Sequence, residues 1–110
     1  TSSMDALWRT LADADVDVVL AGHDHHYERT YPLTADGAPT QVGTTTFVVG
    51  TGGKSLRSVS GNQRTADADA GTYGHLELDL AAGSYEWSFI PADGITGNGQ
   101  HTDSGTATCH

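Results

Sequence analysis

The chain has 110 residues, and its 5 Lys and Arg against 14 Asp and Glu give a formal net charge of −9. This length fits one domain or a part of a larger one, and the acidic excess argues against binding to nucleic acid or to anionic membrane surfaces. No run approaches the roughly 20 apolar residues that a membrane span requires, and no signal peptide is expected in the chain as given.

The first elements in chain order are a helix and a strand. Residues 1–14 are predicted to be helical, because four large apolar side chains recur at helical spacing: Met4, Leu7, Trp8 and Leu11. Residues 16–20 form a short run rich in valine, which predicts a largely buried strand with neighbours on both sides. A helix that leads directly into such a strand is expected to belong to an α/β layer of a larger domain.

The remainder of the chain is predicted to be rich in β-structure. Residues 34–41 indicate a turn or short hairpin, and strands are predicted at 44–50, 73–80 and 85–90, the last two joined by a hairpin turn. Residues 54–71 are predicted to be a mobile loop, and residues 93–110 an irregular tail. The total is one N-terminal helix and about five strands in a mixed or antiparallel sheet, an α+β fold.

The segment most informative about chemistry is Gly-His-Asp-His-His-Tyr-Glu-Arg at residues 22–29. His23 and His25 are two residues apart, so on extended backbone their side chains point the same way, with a rise of roughly 6.6 Å between them. Two such imidazoles, placed where a buried strand ends, can serve one metal ion or two neighbouring ones. A histidine-rich surface loop without a ligand is the alternative, because the spacing alone is common.

Residues 16–32, VDVVLAGHDHHYERTYP, resemble the last metal-binding motif of the calcineurin-like metallophosphoesterases, closest to the purple acid phosphatase branch. The later FVVGTGG, the YGHLELDL and SYEWSFIP hairpin and the closing TDSGTATC also resemble the C-terminal end of that branch. The resemblance implies that residues 1–110 are a single C-terminal segment of a metallophosphoesterase domain. It also implies that they form part of an α/β four-layer sandwich.

The function implied by the resemblance is hydrolysis of phosphoric esters at a binuclear metal centre, by metal-hydroxide attack. His23 would ligate one metal and His25 the other, with two divalent or trivalent ions of the Fe, Zn or Mn class in the intact enzyme and one or none in this chain alone. The family's other ligands, in Asp-x-His or Asp-x-Gly, Gly-Asp and Gly-Asn-His motifs, do not precede His23 in this chain. We therefore expect the missing N-terminal part of the same enzyme to be the partner, and the chain alone to be inactive.

The residues beside these histidines have two interpretations each. His26 is a catalytic candidate, as a general acid or a phosphate contact, but neighbours on extended backbone face opposite sides, which favours a packing role at the base of the loop. Glu28 and Arg29 are expected to pin the loop through charge-assisted hydrogen bonds. His75 is expected to face solvent or a neighbouring layer.

Two further hypotheses stay open beside the phosphoesterase. The chain could be a non-enzymatic β-rich module that binds a single metal through His23 and His25, or only a packing and interaction domain, and the segment could form a homodimer. Cys109 has no partner within the sequence, so a disulfide to a cysteine elsewhere would indicate a secreted protein.

Overall fold

The computed structural model describes residues 2–110, which form one helix and seven strands in two sheets. The elements in chain order are α1 (Ser2–Asp13), β1 (Val18–Ala21), β2 (Tyr27–Thr30), β3 (Thr45–Val49), β4 (Thr65–Asp69), β5 (Gly74–Leu80), β6 (Ser84–Pro91) and β7 (Asp103–Thr108). The prediction of an α+β fold is confirmed at this level, although the fold is mostly β. In the described part of the chain, no helix is long and apolar enough to cross a membrane.

Helix α1 lies where the sequence predicts it, with Thr1 outside the described residues. It ends at Asp13, and the next turn closes with Asp15 in the left-handed region (φ 58°), a conformation that aspartate tolerates better than most residues. The indole Nε1 of Trp8 donates to the carbonyl oxygen of Thr34 at 3.1 Å, which ties the helix to the hairpin around residue 36. The predicted apolar stripe is only partly covered, since Leu7 is 51% exposed.

The first sheet has the strand order β1-β3-β2-β4, with β1 parallel to β3 and the other neighbours antiparallel. The second sheet is an antiparallel meander in the order β5-β6-β7, and the predicted turn at 81–84 joins β5 to β6. Both kinds of pairing that the sequence left open, mixed and antiparallel, are therefore present, one in each sheet.

The core lies between the two sheets and is built mainly from aromatic rings. Tyr27 and Phe47 come from the first sheet and Tyr85 and Phe89 from the second, and all four are at most 5% exposed. The rings of Tyr27 and Phe89 lie 4.4 Å apart between centroids, a close contact at the short limit of the distances usual for aromatic pairs. In β6, alternate side chains point to the same face, and this places Tyr85 and Phe89 together in the core, as expected for a half-buried strand.

The predicted number of strands is too low, because three polar segments form the strands β2, β4 and β7. The expectation of an irregular tail at 93–110 is wrong over Asp103–Thr108, which is β7, and the 54–71 loop contains β4 at Thr65–Asp69. Both strands lack large apolar side chains, and both lie at sheet edges. Gly105 in β7 is needed there, because a Cβ at that position would overlap the indole of Trp87.

Strand β1 also differs from its prediction. It pairs only with β3 and forms one edge of the first sheet, so it does not have neighbours on both sides among the described residues. Leu20 within it is 60% exposed. A run of β-branched and aliphatic residues therefore does not by itself distinguish a central strand from an edge.

A buried charged cluster joins the two sheets. Arg29 on β2 donates to both carboxylate oxygens of Asp103 on β7, at 2.7 Å from Nε and 3.1 Å from Nη2, and the Tyr27 hydroxyl donates to the same carboxylate at 2.6 Å. The guanidinium also lies 4.8 Å from the ring centroid of Trp87. Burial opposes ionisation of Asp103, but the bonds from Arg29 and Tyr27 outweigh it and hold the pKa of this carboxyl below its usual value.

Asp103→Asn is predicted to destabilise the fold by about 2–3 kcal/mol at pH 7, because it leaves the Arg29 charge partly buried without its partner. Urea unfolding of the variant measures this, with Asp79→Asn on the exposed face of β5 as the matched control. A difference below about 0.5 kcal/mol between the two variants would contradict the role assigned to the cluster.

The same pair predicts a pH dependence of definite sign. Because the folded pKa of Asp103 is lowered, its contribution is fully present above the unfolded value of about 3.8 and is lost as the pH falls through the folded pKa. The stability gap between the wild type and Asp103→Asn should therefore be constant from pH 7 to about 5 and shrink below about pH 4.

Candidate functional site

The candidate site lies at one edge of the first sheet. Strands β1 and β3 are parallel, so their carboxyl ends, at Ala21 and Val49, lie at the same edge. Each strand is followed by a glycine, Gly22 and Gly50, that opens a loop. Ligands in sheets with parallel strands commonly bind beyond these carboxyl ends, which is where the sequence places the histidine motif.

The histidine loop, residues 22–26, is a tight succession of turns. The amide of Asp24 donates to the carbonyl oxygen of Gly22, and that of His26 to the carbonyl oxygen of Asp24, each at 2.9 Å. His23 adopts a φ of 75°, which is uncommon for a residue with a side chain and costs roughly 1–2 kcal/mol. Such a conformation persists only where the surrounding structure holds it in place, and residues of this kind are concentrated at functional sites.

The ring of His25 is oriented by the loop that follows β3. Its Nδ1 lies 2.8 Å from the carbonyl oxygen of Ser55, and since a carbonyl can only accept, Nδ1 carries the proton. In the neutral ring the other nitrogen, Nε2, is then the one with a free lone pair. A backbone carbonyl that fixes the tautomer and orientation in this way is typical of histidines that ligate metals.

Gly50 allows the two loops to meet. A Cβ at this position would overlap the carbonyl oxygen of Asp24, and the Gly50 amide donates to the carbonyl oxygen of His26 at 3.0 Å. The amide of Arg57 adds a third connection by donating to the carbonyl oxygen of His25 at 2.8 Å. The histidine loop is therefore held in shape by the segment that follows β3.

The two loops enclose an open groove of about 510 Å³. Histidine, carboxylate and hydroxyl side chains dominate its lining, which consists of His23, Asp24, His25, His26, Glu28, Arg57, Ser58, Val59 and Ser60. The structure thus brings together all three histidines that the sequence singles out. Ser55 and Arg57 lie in the stretch predicted to be a mobile loop, and only its position after a strand parallel to β1 could have indicated a role at the site.

His26 lines the groove but is largely buried, with 9% of its surface exposed. Its Nε2 lies 3.3 Å from Oε1 of Glu28, whose other oxygen accepts from the Thr65 hydroxyl at 2.6 Å. These contacts tie the end of the histidine loop to β4 and match the packing interpretation of His26. Its catalytic role stays a prediction.

The remaining candidates lie elsewhere. Tyr27 and Arg29 are bound to Asp103 on the second sheet and do not line the groove, so Arg29 has a structural role but joins the two sheets instead of pinning the histidine loop. His75 is exposed beside Glu77, with 3.0 Å between Nε2 and the carboxylate. Within residues 2–110, no group of three or more His, Cys, Asp or Glu side chains is arranged so that it could hold a metal ion.

Comparison with known proteins adds no relative: no protein-family model matches the chain, nor does any curated protein or solved structure.

Gly50→Ala is predicted to displace the histidine loop and to destabilise the fold by about 2 kcal/mol, because the added methyl group overlaps the Asp24 carbonyl oxygen. Thermal or urea unfolding and the imidazole NMR signals of His25 measure the two effects. Gly52→Ala is the matched control, since a Cβ there meets no atom within 4 Å. Equal stability of the two variants would show that the loops do not depend on this close approach.

Proposed function

We propose that this chain is the C-terminal part of a calcineurin-like metallophosphoesterase of the purple acid phosphatase type, and that His23 and His25 supply two of its metal ligands. The observation that carries the proposal is the hydrogen bond from His25 Nδ1 to the Ser55 carbonyl oxygen, at the carboxyl ends of two parallel strands. It leaves Nε2 available for a ligand, in a groove that His23 also lines.

The chemistry of the donors fits this assignment. Imidazole nitrogens bind Zn, Fe and Mn ions, and His23 has no hydrogen-bond partner for its ring in the described part of the chain, so both of its nitrogens are available. A binuclear centre requires more than two ligands, and the Asp and Asn residues that complete it would come from an upstream segment. When bound, the two metal ions would supply Lewis-acid activation of the phosphoryl group and of the attacking water.

The chain's own residues would hold and shape this site. His25 is oriented by the Ser55 carbonyl, and His23 is presented by a strained backbone that the neighbouring turns maintain. His26 and Glu28 line the same groove, and His26, which contacts Glu28, would be the general acid or phosphate contact if it acts on the substrate. Asp24 is exposed at the rim and is assigned no ligand role.

The proposal extends to the architecture. The free edge of β1, with Leu20 exposed, is where an upstream strand would extend the first sheet towards a four-layer sandwich. Cys109 would form a disulfide with an upstream cysteine in a secreted enzyme, and a homodimer of the isolated segment would cover the same edge of β1 instead. The substrate would be a phosphoester small molecule.

Metal titration of the protein encoded by the complete reading frame tests the ligand assignment directly. Zn²⁺ or Mn²⁺ is expected to bind, and His23→Ala or His25→Ala to weaken binding at least about tenfold, whereas His75→Ala, which removes an exposed histidine outside the groove, should leave it unchanged. Protons compete for imidazole, so affinity should fall as the pH drops below about 6. Equal effects of the three variants would contradict the site.

Activity is tested on the protein encoded by the complete reading frame. We expect it to contain Asp-x-Gly, Gly-Asp and Gly-Asn-His motifs upstream of residue 1 and to hydrolyse 4-nitrophenyl phosphate. His25→Ala should reduce kcat/KM at least about 100-fold, while residues 1–110 alone should have no measurable turnover. Turnover by residues 1–110 that His23→Ala abolishes would overturn the division of ligands proposed for the two segments.

A further inference from the structure

The basic residues of this acidic chain differ in whether their side chains form an ion pair. Arg9 and Arg29 are engaged in ion pairs, at 2.7 Å each. The side chains of Lys54, Arg57 and Arg64 have no hydrogen bond or ion pair to any residue within 2–110. Of these three, Arg57 alone lines the histidine groove, whereas Arg64 lines a separate groove beside α1.

The position of Arg57 is fixed by the same contacts that orient His25. Its amide donates to the His25 carbonyl oxygen, and two residues earlier the Ser55 carbonyl accepts from the His25 ring. The backbone at Arg57 is therefore anchored to the histidine loop at both ends of a three-residue segment. Its exposed side chain keeps enough freedom to reach a ligand in the groove.

The charges around the groove favour a cation at this place. The chain has a net charge of −9, and Asp24 and Glu28 add two carboxylates to the lining. This field opposes the binding of an anionic ligand, and a positive side chain beside the proposed metal ions would reduce the repulsion. Arg57 supplies the one permanently cationic side chain among the lining residues, and a guanidinium can hold two phosphoryl oxygens at once.

We infer that Arg57 binds the anionic phosphoryl oxygens of the substrate and so determines affinity for phosphoesters at the groove. The inference rests on the proposed function, because it assigns a role within the same site. The role differs from that of the histidines: Arg57 contacts the non-reacting oxygens of the ester and is not a metal ligand. Its removal should therefore raise KM and leave the bound metal in place.

The test compares Arg57→Gln, Arg57→Lys and Arg64→Gln in the protein encoded by the complete reading frame. With 4-nitrophenyl phosphate, Arg57→Gln should raise KM about tenfold, and the inhibition constant of inorganic phosphate should rise by a similar factor. Arg57→Lys should lie between this variant and the wild type, because it keeps the charge but loses the planar fork. Arg64→Gln makes the same change of charge away from the groove and should have no effect on either constant.

The outcomes separate the two proposals. Hydrolysis by the wild type, with unchanged KM and inhibition constant in Arg57→Gln, would overturn the role of Arg57 alone. A raised KM accompanied by loss of bound metal would also overturn it, because the residue would then act through the His25 loop. A wild-type protein that binds metal but hydrolyses no phosphoester would overturn the proposed function and, with it, this inference.

Discussion

A carboxylate at the interface of the two sheets, that of Asp103, is bonded to the first sheet by three hydrogen bonds. Asp103 accepts from Arg29 and from Tyr27, so β7 of the second sheet is bonded to β2 of the first beside a core that is mainly aromatic. Apolar rings can slide on one another, whereas a bidentate charged pair has a fixed geometry. This cluster therefore helps to fix the position of the second sheet on the first, together with the hydrogen bonds between Thr51 and Gly74 and between His101 and Asp67.

The sequence predicts the parts of the fold where hydrophobicity follows a simple period. The helix and the β5–β6 hairpin show such a pattern, β3 is a run of β-forming residues, and each is present. The polar strands β2, β4 and β7 could not be predicted, because their side chains are satisfied by one another: Arg29 by Asp103, Glu28 by Thr65. Their polar side chains are typical of loops, and the partners that stabilise them in strands lie 37 or 74 positions away in the sequence, beyond the reach of a local pattern.

The candidate site, like the fold, could be predicted from the sequence only in part. The motif at residues 22–29 identifies the histidines and places them after a strand, since both facts depend on local sequence. The sequence gives no sign of the segment that orients them, because the carbonyl of Ser55 and the amide of Arg57 are backbone groups that any residue carries. The contribution of a loop through its main chain is invisible in its composition, and the low complexity of residues 54–71 concealed it.

Strand β2 begins at Tyr27, directly after the histidine loop, and within three residues reaches the pair that joins the sheets. The loop and the inter-sheet contact are thus rigidly connected through one short strand. A ligand that binds the folded loop and not the unfolded chain shifts the folding equilibrium towards the folded state by mass action. The melting temperature of the whole domain should therefore rise with the fraction of grooves that hold a ligand.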